Sequence, residues 1–189
     1  MKKIISLICV LAICLSVCSC GAKTEDHEIS EYILDLEYKD DFKVLTLCDT
    51  HLANKDNRKL HYDYLDVVIK GAKADMIVVL GDMFTFADKT VAKEFFNFLD
   101  GYGVPWTVTF GNHDEQCYFS IDWVTAYLNN FGSNCMFKDV KNDNIYGYAN
   151  HAINLNKGGK TVAQLVVLDS NRYNYGEYWG YDYLKPEQI

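Results

Sequence analysis

The chain has 189 residues, of which 18 are Lys or Arg and 26 are Asp or Glu, for a net charge of −8. That length suits one domain with a real core, and 49% apolar residues is an ordinary globular content. Residues 1–20 hold two lysines and no acid, so the remainder carries 16 basic and 26 acidic residues, a net −10; a body that acidic is repelled by nucleic-acid backbones, which excludes a non-specific DNA or RNA binder.

The chain begins as an export signal would. Lys2 and Lys3 precede an uncharged, mostly apolar run over residues 4–18, and small residues follow at Ser19, Cys20, Gly21 and Ala22. Val17-Cys18-Ser19-Cys20-Gly21 resembles the lipobox of bacterial lipoproteins, which implies acylation at Cys20 after cleavage of residues 1–20. Cys20 fits better than Cys18 because the small Ser19 precedes it. Residues 4–22 are all uncharged, so an uncleaved anchor is the alternative. The expected location is extracytoplasmic, as a membrane-anchored lipoprotein, with a secreted or signal-anchored form as the rival. Beyond the signal the cysteines are Cys48, Cys117 and Cys135, with no CxxC spacing, so a zinc ribbon or thioredoxin motif has no support. Cys117 and Cys135 are open to pairing in an oxidising compartment.

Residues 21–41, polar and then mixed, read as a tether leading into the domain. Residues 42–48 (FKVLTLC) read as a strand. Residues 58–74 carry Leu60, Tyr64, Val67 and Val68 near helical spacing. Met76–Leu80 reads as a buried strand, residues 89–101 as a helix and residues 106–110 as a third strand. Residues 120–131 read as a helix. Two runs, 146–154 and 161–168, flank Asn156-Lys157-Gly158-Gly159-Lys160 and predict a β-hairpin. Strand–helix–strand–helix–strand implies parallel strands with crossover helices. In such sheets ligands sit beyond the carboxyl ends of the strands. Each of the three strands is followed at once by polar, metal-competent residues: Asp49 and His51, then Asp82, then Asn112 and His113.

Carboxylates, an amide oxygen and imidazoles suit borderline metal ions. Asp49-Thr50-His51, Gly81-Asp82 and Gly111-Asn112-His113-Asp114, in this order, resemble the calcineurin-like metallophosphoesterase family over about residues 42–189. The resemblance implies an α/β fold, a metallo-dependent phosphatase-like sandwich. It implies two divalent or trivalent metal ions (Mn, Fe or Zn) and hydrolysis of a phosphomonoester or phosphodiester by a hydroxide held between them. Asp49 and His51 would bind one metal, Asp82 would bridge both, and Asn112 would bind the second. His113 would lie beside the phosphate as a catalytic residue, with Asp114 as the second member of the catalytic pair, orienting it. The expected partners are a phosphoester substrate and, through the lipid, a membrane; no protein partner is predicted.

The family pattern continues with a lone His and a GHxH that are not legible here. His151, in the putative hairpin, reads as a sheet-surface residue. Pro186 and Glu187 read as the first turn of a helix at which the chain stops, so the expectation is a domain over residues 42–189 whose C-terminal part is missing. The rival reading is a non-catalytic or inactive surface lipoprotein that binds a metal or a partner. Residues 171–184 are dense in aromatics and read as rings packed over a sheet edge, with stacking on a substrate base or sugar as the alternative. Asp169 reads as structural and near the site, Arg172 as solvated, His61 as surface, Asn54 and Asp56 as loop caps, and Cys48 as the buried end of its strand.

Overall fold

The run Met76–Leu80, MIVVL, has no polar residue on either face, the pattern of a parallel strand covered on both sides. The computed structural model describes residues 29–55, 57–132, 134–140, 144–174 and 179–189. In it Met76–Leu80 is β3, the middle strand of a parallel sheet in the order β2-β3-β4, with β2 at Val44–Leu47 and β4 at Trp106–Thr109.

Two crossover helices make that sheet. Helix α1 spans Arg58–Ala72 and ends where Lys73 turns left-handed at φ 48°. Helix α2 spans Lys89–Asp100 and is capped by Asp88, whose carboxylate accepts the N–H of Thr90 at 2.7 Å and of Val91 at 3.1 Å. Its Phe95, Phe96 and Leu99 are fully buried, each contributing roughly 1.5–3 kcal/mol. Helix α3, Ile121–Asn129, is capped by Ser120 through the Trp123 N–H at 3.2 Å and adds Ile121, Val124 and Leu128 to the same core.

A second sheet has the order β1-β5-β6, with β1 at Ile33–Glu37, β5 at His151–Lys157 and β6 at Lys160–Val167. β5 and β6 form the predicted hairpin, turning through Gly158 and Gly159, both at positive φ. β1 runs parallel to β5, pairing Leu34 with Ile153 and Leu36 with Leu155. It lies in the stretch read as a tether, so the folded body begins before residue 42. Five residues with only three apolar side chains become a strand because β5 supplies the partner. The period of two along β3 decides how the sheets stack. Ile77 and Val79 join the helix-side core, whereas Met76 and Val78 pack with Ile153 and Leu155 of the second sheet. The result is an α/β sandwich, with helices outside one sheet and the second sheet against its other face.

His151 is part of this packing, not of the sheet surface. It is buried, its Nδ1 lies 2.8 Å from the Ala149 carbonyl and its Nε2 lies 2.8 Å from the Thr107 hydroxyl of β4. Nδ1–H therefore donates to the carbonyl and Thr107 donates to Nε2, which suits a neutral ring, and burial pushes its pKa down to about 4. β7 (Tyr173–Asn174) and β8 (Gly180–Tyr181) form a small antiparallel pair. The predicted final turn is a 3-10 turn, Pro186–Gln188, and the Gln188 amide donates to the Asp169 carbonyl at 2.7 Å. The export signal and Cys20 lie outside the described residues, as does Asp56. Among those described, no helix is long and apolar enough to cross a membrane.

Candidate metal centre

The loops leaving β2, β3 and β4 are laced together at their first residues. The N–H groups of Asp49, His51 and Leu52 donate to the carbonyls of Gly81, Asp82 and Met83, at 3.3, 3.0 and 2.9 Å. The lacing holds Asp49, His51 and Asp82 at φ 54°, 44° and 49°. A left-handed backbone at a residue other than glycine costs about 1–2 kcal/mol, and such strain gathers at functional sites. Two glycines make room. A Cβ on Gly81 would lie 2.6 Å from Gly111 N, and one on Gly111 would lie 2.2 Å from Asp82 Oδ1.

The lacing gathers three side chains. Asp49, His51 and Asp82 each present a ligand atom, all within 4.8 Å of one another. His51 Nε2 stands 3.6 Å from Asp49 Oδ1, too far for a hydrogen bond between them. Its Nδ1 is 2.8 Å from the Thr85 hydroxyl; with the Nδ1 proton donated there, the Nε2 lone pair is left for a metal. Asp82 Oδ1 also accepts the His113 N–H at 2.8 Å, which ties the third loop to the second. Asn112 donates its amide nitrogen to the Tyr173 hydroxyl at 2.7 Å, so its carbonyl oxygen is the atom left for a ligand role. The His113 ring stands edge-on to His51 with centroids 4.9 Å apart.

Asp114 departs from expectation. It does not orient His113: Gln116 does, with Oε1 2.9 Å from His113 Nδ1. The Asp114 carboxylate instead points inward, accepting the N–H of Gly111 at 2.8 Å and of Phe84 at 3.0 Å. Burial raises its pKa to about 7 against the pull of those two N–H groups. Its work is to hold two of the loops together. Cys48 is exposed, not buried, because β2 ends at Leu47 and the chain turns at once; Cys117 and Cys135 are also free thiols. Asn54 is a cap, accepting the Asp88 N–H at 2.9 Å. Asp169 is structural, accepting the N–H of Tyr148 and Asn171, both at 2.8 Å.

A cavity of about 320 Å3 opens over this group, and Asp49, Asp82, Asn112, Arg172 and Tyr181 are among its walls. Arg172 is not a free loop arginine. It is ion-paired with Glu115 and lies 5.7 Å from the Tyr148 ring centre. Two carboxylates, Asp49 and Asp82, line the cavity against the single guanidinium of Arg172 among the described residues, while Asp182 in the same wall is ion-paired with Lys185. Such a wall repels phosphate unless cations stand between. The mixed oxygen and imidazole donors, with His51 Nε2 and the Asn112 oxygen both presented, fit borderline ions of the Mn, Fe and Zn kind. Thr85, Gln116 and Tyr173 were missed from sequence. Only Thr85 had a signal, as the single polar residue of Met83-Phe84-Thr85-Phe86.

Strand-end loops of an α/β sandwich converging on Asp, His, Asp and Asn define a metallophosphoesterase type of domain. The chain belongs to the calcineurin-like phosphoesterase family, whose profile matches residues 42–187. Among curated proteins it is similar to one from Arabidopsis thaliana named "Probable inactive purple acid phosphatase 29", 26% identical over 176 residues. That match takes in 78% of this chain and 45% of the relative, so the chain spans less than half of that protein's length. No solved structure matches it.

Proposed function

We propose that the chain hydrolyses phosphate mono- or diesters with a pair of ions drawn from Mn, Fe and Zn, held by Asp49, His51, Asp82 and Asn112. The observation that carries this reading is the Asp49–His51–Asp82 group, its ligand atoms within 4.8 Å, two of whose members, Asp49 and Asp82, line an otherwise anion-repelling cavity. When bound, such ions neutralise the phosphoryl oxygens and make a nucleophilic water available at neutral pH. The protein's own part is positioning and proton handling. Asp82 can serve both ions because each of its oxygens is a separate donor. His113 keeps Nδ1–H on Gln116, so Nε2 is the atom that exchanges a proton with the leaving oxygen. Arg172, fixed by Glu115, offers its remaining N–H donors to a phosphate oxygen. Export and acylation at Cys20 belong to the same proposal and put this chemistry outside the cytoplasm, on a membrane surface.

The name of the Arabidopsis relative favours a second reading, a domain that binds a metal or partner without turnover. One experiment separates the two. The purified chain is loaded with Mn2+, Fe3+ or Zn2+ and assayed on a phosphomonoester and a phosphodiester, beside Asp82→Asn and His113→Ala. Turnover that chelation abolishes, and that falls at least about a hundredfold in both variants, supports hydrolysis. Metal binding with no turnover above buffer leaves the binding reading.

A further inference from the structure

Among the described residues of the aromatic stretch 171–184, three rings form a ladder. Tyr173 stacks on Trp179, with centroids 5.9 Å apart and planes 14° apart, and on Tyr181, at 5.7 Å and 27°. Trp179 and Tyr181 are 73% and 75% exposed. Open aromatic faces beside a polar cavity are a platform on which a flat ring can stack. The ladder is anchored to the metal group at one point, the Tyr173 hydroxyl that takes the Asn112 amide at 2.7 Å. It reaches the cavity at another, since Tyr181 is in the same wall as Asp49, Asp82 and Asn112.

We propose that Tyr181, backed by Tyr173 and Trp179, is a leaving-group subsite for the base of a nucleoside monophosphate. This rests on the hydrolase reading above. The cavity's volume, about 320 Å3, is in the range that encloses a small organic ligand. The rest of that wall includes the exposed Ser170, whose hydroxyl can hydrogen-bond a sugar hydroxyl. An acid-lined end where bound metal ions would meet a phosphate, a hydroxyl partner and an open ring face together match phosphate, sugar and base. In the reaction the bond from phosphorus to the 5′ oxygen breaks and the oxygen of water joins phosphorus. The 5′ oxygen takes a proton, giving a nucleoside and inorganic phosphate.

The test compares two probes that share a phosphonate and differ in the nucleoside. Titration calorimetry of the full chain with Mn2+ measures the 5′-methylenephosphonate analogue of AMP against methylphosphonate. The P–C bond of both resists ester hydrolysis. The nucleoside probe is expected to bind at least about tenfold more tightly, a difference of about 1.4 kcal/mol. Tyr181→Ala brings the ratio close to one, and Tyr181→Phe, which keeps the ring, preserves it. Equal affinities in the wild type, or a preference that survives Tyr181→Ala, overturns the proposal. Turnover of AMP and ribose 5-phosphate is measured alongside. A phosphonate preference without turnover leaves the subsite standing and removes the hydrolase reading. Equal turnover of the two esters with no phosphonate preference does the reverse.

Discussion

One added carbon at Gly111 tests whether the loops are as tightly laced as their contacts imply. A Cβ there lies 2.2 Å from Asp82 Oδ1 and 2.5 Å from Asp82 N, where ordinary contact begins at 3.4 Å. The carboxylate must retreat by about 1 Å to restore a normal carbon–oxygen separation. It then gives up the His113 N–H, now at 2.8 Å. A hydrogen bond to a charged group contributes about 1.5–3 kcal/mol, and the crowding itself adds to the loss, so Gly111→Ala is expected to destabilise the fold by about 3 kcal/mol. Losing the hydrogen bond that orients this ligand weakens Mn2+ binding by about ten- to a hundredfold. Urea unfolding gives the first quantity and calorimetric Mn2+ titration at low urea the second. Gly180→Ala is the control, because nothing lies within 4 Å of a Cβ there. Gly111→Ala binding Mn2+ as tightly as Gly180→Ala would refute the argument that Gly111 exists to admit the Asp82 carboxylate.

Three further outcomes follow from other contacts. His151 has its pKa lowered from 6.5 to about 4 by burial. As pH falls below 6.5 the unfolded chain takes up the proton first, so this contribution to stability is complete above pH 6.5 and is lost between 6.5 and 4, by about 3 kcal/mol at most. His151→Gln should flatten that part of the stability–pH curve, measured by urea unfolding at pH 7.5 and 4.5. A curve unchanged in slope means the ring is not neutral in the fold. Gln116→Ala is expected to lower kcat about tenfold with little change in KM, because it frees the His113 ring rather than a substrate contact; an equal rise in KM would place Gln116 against the substrate instead. Gly71 lies in the last turn of α1 with open space around it, so Gly71→Ala should stabilise the protein by about 0.5–1 kcal/mol, read as a higher urea midpoint.

The order of strands and helices was legible because β2, β3 and β4 are short apolar runs that each end in a polar cluster. Asp49, His51, Asp82 and Asn112 could therefore be placed at one sheet edge before any coordinates. What sequence could not supply was the layer behind them. Gln116 rather than Asp114 holds His113, because whether a side chain turns inward depends on which loop presents orphan N–H groups, here those of Gly111 and Phe84. Tyr173 stands 61 residues from Asn112 and has no local signature of that contact. His151 looked like a surface residue because a hairpin strand usually has one wet face. It is buried because the β2-β3-β4 sheet covers that face and Thr107 of β4 meets the ring. β1 escaped for the same reason, being a strand only by virtue of β5.

The backbone at Asp49, His51 and Asp82 has a consequence for telling working copies of this domain from decayed ones. All three hold a φ that glycine adopts without strain and that aspartate and histidine adopt at a cost. A sequence selected only to fold gains most by replacing the exposed Asp49, whereas His51 and Asp82 also hold Thr85 and the His113 N–H and Met76–Leu80 and Trp106–Thr109 are needed for folding in either case. Loss of activity in a lineage would then be written first at position 49, as glycine, while the core stayed as it is. In this chain all three side chains are in place, held against the preference of the backbone that carries them.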